Sequence, residues 1–213
     1  MNLTLVFLVL TNLLLLASGR LSTCIRIVAA QGVALGLLAL STGRPGLSIG
    51  AIALSLVSIL LKGIVFPTLL SRAIREAQVR REARPFVGYT ASVTLGVVLL
   101  LGAFGLDSRL ALPRSDYPPL SVPAAFFTIL VGLFLIVSRK QALSQVLGYL
   151  VMENGIFAFG LIHAREEGFL VGLGILLDVF VAVFVMGIAI FHINREFDHI
   201  DTERLSALKD WER

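Results

Sequence analysis

Charged side chains are scarce in this sequence. Fourteen acidic and 18 basic residues make up 15% of its 213 positions, where soluble domains carry roughly 25%. Apolar residues fill 57% of the chain, and the mean hydropathy is +0.91. Too few positions lie outside apolar stretches to build a separate nucleotide- or metal-binding module. Cysteine is rarer still: the single Cys24 excludes an intrachain disulfide and reads as a small apolar side chain near a helix end. The three histidines, His163, His192 and His199, form no Cys/His cluster with metal-ligand spacing, which argues against zinc or an iron–sulfur cluster held by this chain. Paired-aspartate, GxSxG and HExxH patterns are also missing, so an intramembrane hydrolase or lipid transferase is disfavoured.

What remains is a polytopic, all-α membrane protein. A spanning helix needs about 20 mostly apolar residues, and the sequence predicts seven: about Asn2–Ser18, Thr23–Leu40, Leu47–Leu70, Phe86–Leu106, Val122–Ser138, Ala142–His163 and Gly168–Ile193. The first lacks a basic n-region and a cleavage site, and is expected to be retained as a helix. Arg20 and Arg26 flank the first turn, Arg72, Arg75, Arg80, Arg81 and Arg84 separate helices 3 and 4, and Arg139 with Lys140 form the turn between helices 5 and 6. These connections fall on one side, which the positive-inside rule makes cytoplasmic. The N-terminus is then outside and the C-terminal tail inside. The isoelectric point near 9.7 reflects this loop bias, and nucleic-acid binding is not expected. The outer loop Asp107–Leu120, with Pro113, Pro118 and Pro119, is expected to be irregular.

Two segments outside the spans are amphipathic. In Thr68–Arg84 the residues Leu70, Ala73, Ile74 and Ala77 recur at helical spacing, with arginines on the other face. This segment reads as an interfacial helix on the inner leaflet, a solvated topological loop, or a surface for a cytoplasmic partner. The tail Asn194–Arg213 has the same choice between partner and membrane.

Short matches suggest an internal repeat. Ile59-Leu60-Leu61-Lys62 parallels Ile175-Leu176-Leu177-Asp178, Gln31-Gly32-Val33 parallels Asn154-Gly155-Ile156, and Ser18-Gly19-Arg20 parallels Ser138-Arg139-Lys140. The expected organisation is a three-helix unit over 1–70, a basic segment with linking helix and outer loop over 71–121, a second parallel unit over 122–193, and a tail over 194–213.

Ionisable residues inside the spans are the strongest functional signal. Each costs at least about 2.5–3.5 kcal/mol on insertion scales, and such residues mark ion paths, proton relays or polar partners. Glu153 lies about 20 Å from Lys140 and about 15 Å from His163 along its helix, and Asp178 about 15 Å beyond Gly168. Both are expected near mid-membrane. Lys62 lies about 12 Å from Leu70, where it either snorkels to the interface or pairs with a buried carboxylate. Gln31 is expected to make a polar contact between helices. A proton crossing hydrocarbon needs a group that takes and releases it, and a carboxylic acid suits that role. Gly148, Gly155 and Gly160 beside Glu153 would permit close helix approach. The alternative for Glu153 and Asp178 is a purely structural one, holding helices by hydrogen bonds.

The stretch Gly148-Tyr149-Leu150-Val151-Met152-Glu153-Asn154-Gly155-Ile156-Phe157 resembles the component E family of hydrogenase-4 and related formate hydrogenlyase complexes. The chain length, the helix count and Leu177-Asp178-Val179-Phe180 fit as well. In its last three helices that family is similar to the K subunit of complex I and the C subunit of multisubunit cation/proton antiporters. The resemblance implies that Glu153, and by position Asp178, lie on a proton path, with no counterpart carried over to Lys62. It also implies partners: antiporter-like membrane subunits, a subunit like the complex I H subunit, and a hydrogenase-like cytoplasmic arm in a prokaryotic inner membrane. Iron–sulfur clusters and a nickel–iron centre would reside in those partners, and this chain would hold no cofactor and catalyse nothing alone. The competing expectations are an antiporter subunit without redox function, a structural scaffold, and, less favoured, a stand-alone transporter.

Overall fold

The computed structural model describes residues 1–42, 55–57, 59–76, 86–110 and 118–163. These form helices, with no strand among the described residues. In chain order they are α1 (Asn2–Ala17), α2 (Leu21–Thr42), α3 (Ser55–Arg75), α4 (Tyr89–Arg109), α5 (Ser121–Ser138) and α6 (Ala142–His163). Helices α2 to α6 each contain a stretch long and apolar enough to cross a bilayer, and α1 is a shorter apolar helix of 16 residues. The seventh expected helix, Gly168–Ile193, the tail after it, and Arg80, Arg81 and Arg84 lie outside the described residues.

Two tight turns organise the bundle. Helix α1 ends at Ala17 and α2 restarts at Leu21; α5 ends at Ser138 and α6 restarts at Ala142. Three residues separate the helices in each case, which forces antiparallel neighbours. The start of α4 is pinned between these two turns. Tyr89 packs so closely on Gly19 that a Cβ there would collide with its ring. On the other side, the Arg139 guanidinium lies 5.1 Å from the Tyr89 ring centroid, the Lys140 ammonium lies 4.6 Å from that of Phe86, and the Phe86 N–H donates to the Ser138 carbonyl at 3.0 Å. Arg139, expected in the cytoplasmic turn between two spans, is 3% exposed there; the aromatic start of α4 covers it, a contact that charge counting does not foresee.

Glycines set the closest helix contacts. A Cβ on Gly132 of α5 would strike the backbone of Met152, one on Gly148 would lie 2.8 Å from the Ile136 nitrogen, and one on Gly155 2.6 Å from the Ile129 nitrogen. Helices α5 and α6 therefore meet backbone to backbone, as small residues allow in membranes. Gly32 and Gly36 of α2 instead receive the side chains of Lys62 and Ile59 of α3, and Gly63 of α3 that of Val33. As residue numbers rise along α2 they fall along α3, so this pair is antiparallel too. By contrast, α4 is little buried, with Val98, Leu101 and Phe104 facing outward.

Helix α3 departs from expectation at its end. The sequence puts its terminus near Leu70, yet the helix continues over Phe66–Glu76, into the segment read as amphipathic. The reason is a π-helical turn at Leu61–Val65, in which the Phe66 N–H reaches back to the Leu61 carbonyl. One extra residue is absorbed just before the proline, which lacks an N–H to donate. The Thr68 hydroxyl lies 2.7 and 2.8 Å from the Ile64 and Val65 carbonyls and donates to one of them, supplying a donor in the disturbed turn.

Candidate functional site

The six helices bring Arg20, Arg26, Arg72, Arg75, Arg139 and Lys140 to one end of the bundle, called the basic end below. From that end, Gln31 lies about 15 Å along α2 and Glu153 about 16 Å along α6, counted at 1.5 Å per residue. Lys62 sits within the π turn, a feature that recurs at functional sites. Its stem lies against Gly32, where a Cβ would stand 2.6 Å from the Lys62 Cβ. The absence of that Cβ lets the lysine cross the seam between α2 and α6.

The Lys62 ammonium meets the Glu153 carboxylate there. Nζ donates to Oε1 at 2.6 Å, and Asn154 Oδ1 lies 3.4 Å away. The ring centroid of Phe157, one helical turn along α6, is 5.1 Å from Nζ. Lys62 is 6% exposed and Glu153 2%. Snorkelling, one of two expectations for Lys62, is not what it does: the side chain turns inward to a carboxylate 91 residues away in sequence. Glu153 Oε2 and Asn154 Nδ2 are buried without a hydrogen-bond partner among the described residues. Beside Asn154 is a cavity of about 10 Å³ lined by Ala29, Lys62, Phe66, Pro67, Leu150 and Asn154, among others.

A second buried polar group lies between α1, α2 and α5. The Gln31 amide donates to Thr11 Oγ1 at 2.8 Å and to Asn12 Oδ1 at 2.9 Å, and Asn12 Nδ2 donates to Thr128 Oγ1 at 2.8 Å. Both hydroxyls spend their own proton on a backbone carbonyl, Thr11 on Phe7 at 2.6 Å and Thr128 on Ala124 at 2.7 Å. They can then only accept, which fixes the orientation of both amides. The expected interhelical contact of Gln31 is thus present. Asn12 and Thr128 were not foreseen. The one signal for Asn12 is an amide in the interior of a mostly apolar α1, and Thr128 has none, because threonine hydroxyls in apolar helices usually bond their own backbone.

Of the residues singled out from the sequence, Lys62 and Glu153 are brought together. Arg72 is exposed on α3, toward the basic end, with Arg75 one turn further. Asp178 lies outside the described residues, as does any approach of it to Glu153. No group of three or more His, Cys, Asp or Glu residues suited to a metal ion occurs among the described residues.

Fold and site together define a multi-pass helical membrane protein with an ion pair buried at mid-depth between helices of its N-terminal and C-terminal parts. The family of NADH-ubiquinone/plastoquinone oxidoreductase chain 4L matches residues 121–210. Hydrogenase-4 component E of Escherichia coli is 31% identical over 150 residues, 70% of this chain and 68% of the relative, and the Shigella flexneri protein of the same name matches equally. An uncharacterized protein of Mycobacterium tuberculosis is 33% identical over 204 residues, 95% of this chain and 93% of its own length. No solved structure matches. The chain belongs to the hydrogenase-4 component E family.

Proposed function

We propose that this chain is a membrane-arm subunit of a complex I-like, energy-converting oxidoreductase, in which the Lys62–Glu153 pair moves protons at mid-membrane. The observation that carries the reading is the 2.6 Å contact itself; of its two residues, Glu153 falls within the chain 4L match and Lys62 precedes it. Two charges taken out of water carry a desolvation cost of several kcal/mol each. Passing one proton from the ammonium to the carboxylate breaks an N–H bond, forms an O–H bond and leaves two neutral groups. A charge arriving or leaving nearby can tip that exchange, which is what coupling to electron transfer requires. Asp178 is proposed, by position, as the next acid on the route. The redox centres are proposed to sit in hydrogenase-like partners, and Arg72, Arg75, Arg80, Arg81 and Arg84 to face lipid headgroups or those partners on the cytoplasmic side. The division into two three-helix units, with the N-terminus outside, is part of the same proposal.

The test is to measure electron transfer and proton uptake in membranes carrying Glu153→Gln or Asp178→Asn. Loss of proton uptake with an assembled complex is expected. Normal electron transfer and proton uptake in both variants would leave the pair as a helix clamp only.

A further inference from the structure

We propose that water enters this chain from its basic end along the seam between α2, α3 and α6, and ends at one buried water site between Lys62 and Asn154. The cavity there, about 10 Å³, is near the lower limit of what one water needs. Its polar lining comes from Lys62 and Asn154. Asn154 is 1% exposed, and its Nδ2 has no hydrogen-bond partner among the described residues. A buried amide donor without a partner costs about 1–3 kcal/mol, and a water accepting from it removes that cost.

The direction of entry follows from where the apolar lining lies. Ile25 and Ala29 precede Gln31 on α2, Phe66 and Leu70 follow Lys62 on α3, and Leu150 precedes Glu153 on α6. All five lie on the basic-end side of the ion pair. The π turn at Leu61–Val65 and Pro67 disturb regular packing along this seam. Glu153 itself does not line the cavity, although it bonds Lys62.

That arrangement fixes an order, which rests on the relay reading above. Lys62 meets the incoming proton first. After it has passed a proton to Glu153 Oε1, the neutral amine takes the next from a hydrated proton at the cavity site, which is left as water.

Cysteine accessibility in native membranes tests the route. In a Cys24→Ser background, Ala29→Cys lines the cavity, while Ala30→Cys lies at the same depth and faces outward. Only a thiolate reacts, and it forms where water solvates it, so a small methanethiosulfonate reagent should modify position 29 at least about tenfold faster than position 30. Phe66→Cys, which lines the cavity, compared with Ile64→Cys at nearly the same depth on the outward face of α3, should show the same contrast, and this pair decides if Ala29→Cys fails to assemble. Equal rates within the pairs, or slow reaction at both 29 and 66, overturn the route. The labelling is read without turnover. Retained contrast alongside normal proton uptake in Glu153→Gln supports the water route and removes the relay. Lost contrast alongside impaired uptake removes the route and leaves the relay.

Discussion

Replacing Lys62 and Glu153 by methionine, singly and together, should show a large favourable coupling. At 2.6 Å and an effective dielectric constant of about 20, two unit charges attract by about 6 kcal/mol. Desolvation takes back several kcal/mol for each ion, so an intact buried pair contributes little over an apolar pair of similar size, while removing one partner alone costs about 3–5 kcal/mol. Each single variant removes one member of the buried pair: Glu153→Met takes the carboxylate from a lysine 6% exposed, and Lys62→Met takes the ammonium from a glutamate 2% exposed. Independent effects would sum to about 6–10 kcal/mol for the double variant. The double variant strands neither charge, and methionine follows the lysine stem past Gly32 and places sulfur near Phe157, so its cost should fall to about 0–2 kcal/mol. The assay is reversible detergent unfolding in mixed micelles, followed by helical circular dichroism, across all four members of the cycle. Additive costs, or single-variant costs below about 1 kcal/mol, would refute the buried pair as drawn.

Three further outcomes follow from the packing and polar contacts. Gly132→Ala and Gly155→Ala should each cost about 1–3 kcal/mol in the same unfolding assay, because the atoms they meet are backbone and cannot step aside; Gly102→Ala and Gly105→Ala, with nothing within 4 Å of the added Cβ, should be neutral or stabilising by up to about 1 kcal/mol. Asn12→Leu and Thr128→Val should each cost about 0.6–2 kcal/mol, and the double variant no more than the worse single, since they share one bond; electron transfer in assembled membranes should be unchanged. Arg139→Ala should lower the yield of extractable, monodisperse protein because it removes a covered guanidinium from the Tyr89 ring, while Lys140→Ala, at an exposed position, should cost no more than about 1 kcal/mol through its Phe86 contact.

The parts legible in the sequence are those that hydropathy and charge encode. The described spans were readable because each is a long, mostly apolar run, and Glu153 stood out because nothing else in Ala142–His163 carries an acid. Gly148 and Gly155 were readable as small residues beside it. Partnership was not. Hydropathy gives the depth of Lys62 but not which helix lies across from it, and helix order around a bundle is set by packing between segments far apart in sequence. Gly132 was missed for the same reason: it lies between Val131 and Leu133, and its role appears only when Met152 is placed against it. The run of α3 past Leu70 was not legible, because the π turn that accommodates Pro67 leaves no mark in composition. Arg139 illustrates the converse, where the rule that assigns arginines to one end of a bundle says nothing about their burial there.

The two polar groups at mid-depth differ in one physical respect that separates a fastener from a relay. Thr11, Asn12, Gln31 and Thr128 carry amides and hydroxyls, which do not change charge at any pH the membrane meets. Their donors are committed along a fixed chain that ties α1, α2 and α5 together. Lys62 and Glu153 can both gain or lose a proton, and they belong to helices from different parts of the chain. Neutralising the pair by internal proton transfer removes a gross attraction of about 6 kcal/mol between α3 and α6, set against the desolvation it relieves. A seam held by such a balance responds to a single nearby charge, whereas the Gln31 chain does not. Under the proposed relay, that response, together with the unpartnered Asn154 Nδ2 beside a water-sized cavity, would put the proton chemistry on α3 and α6, with α2 as the wall between the polar groups.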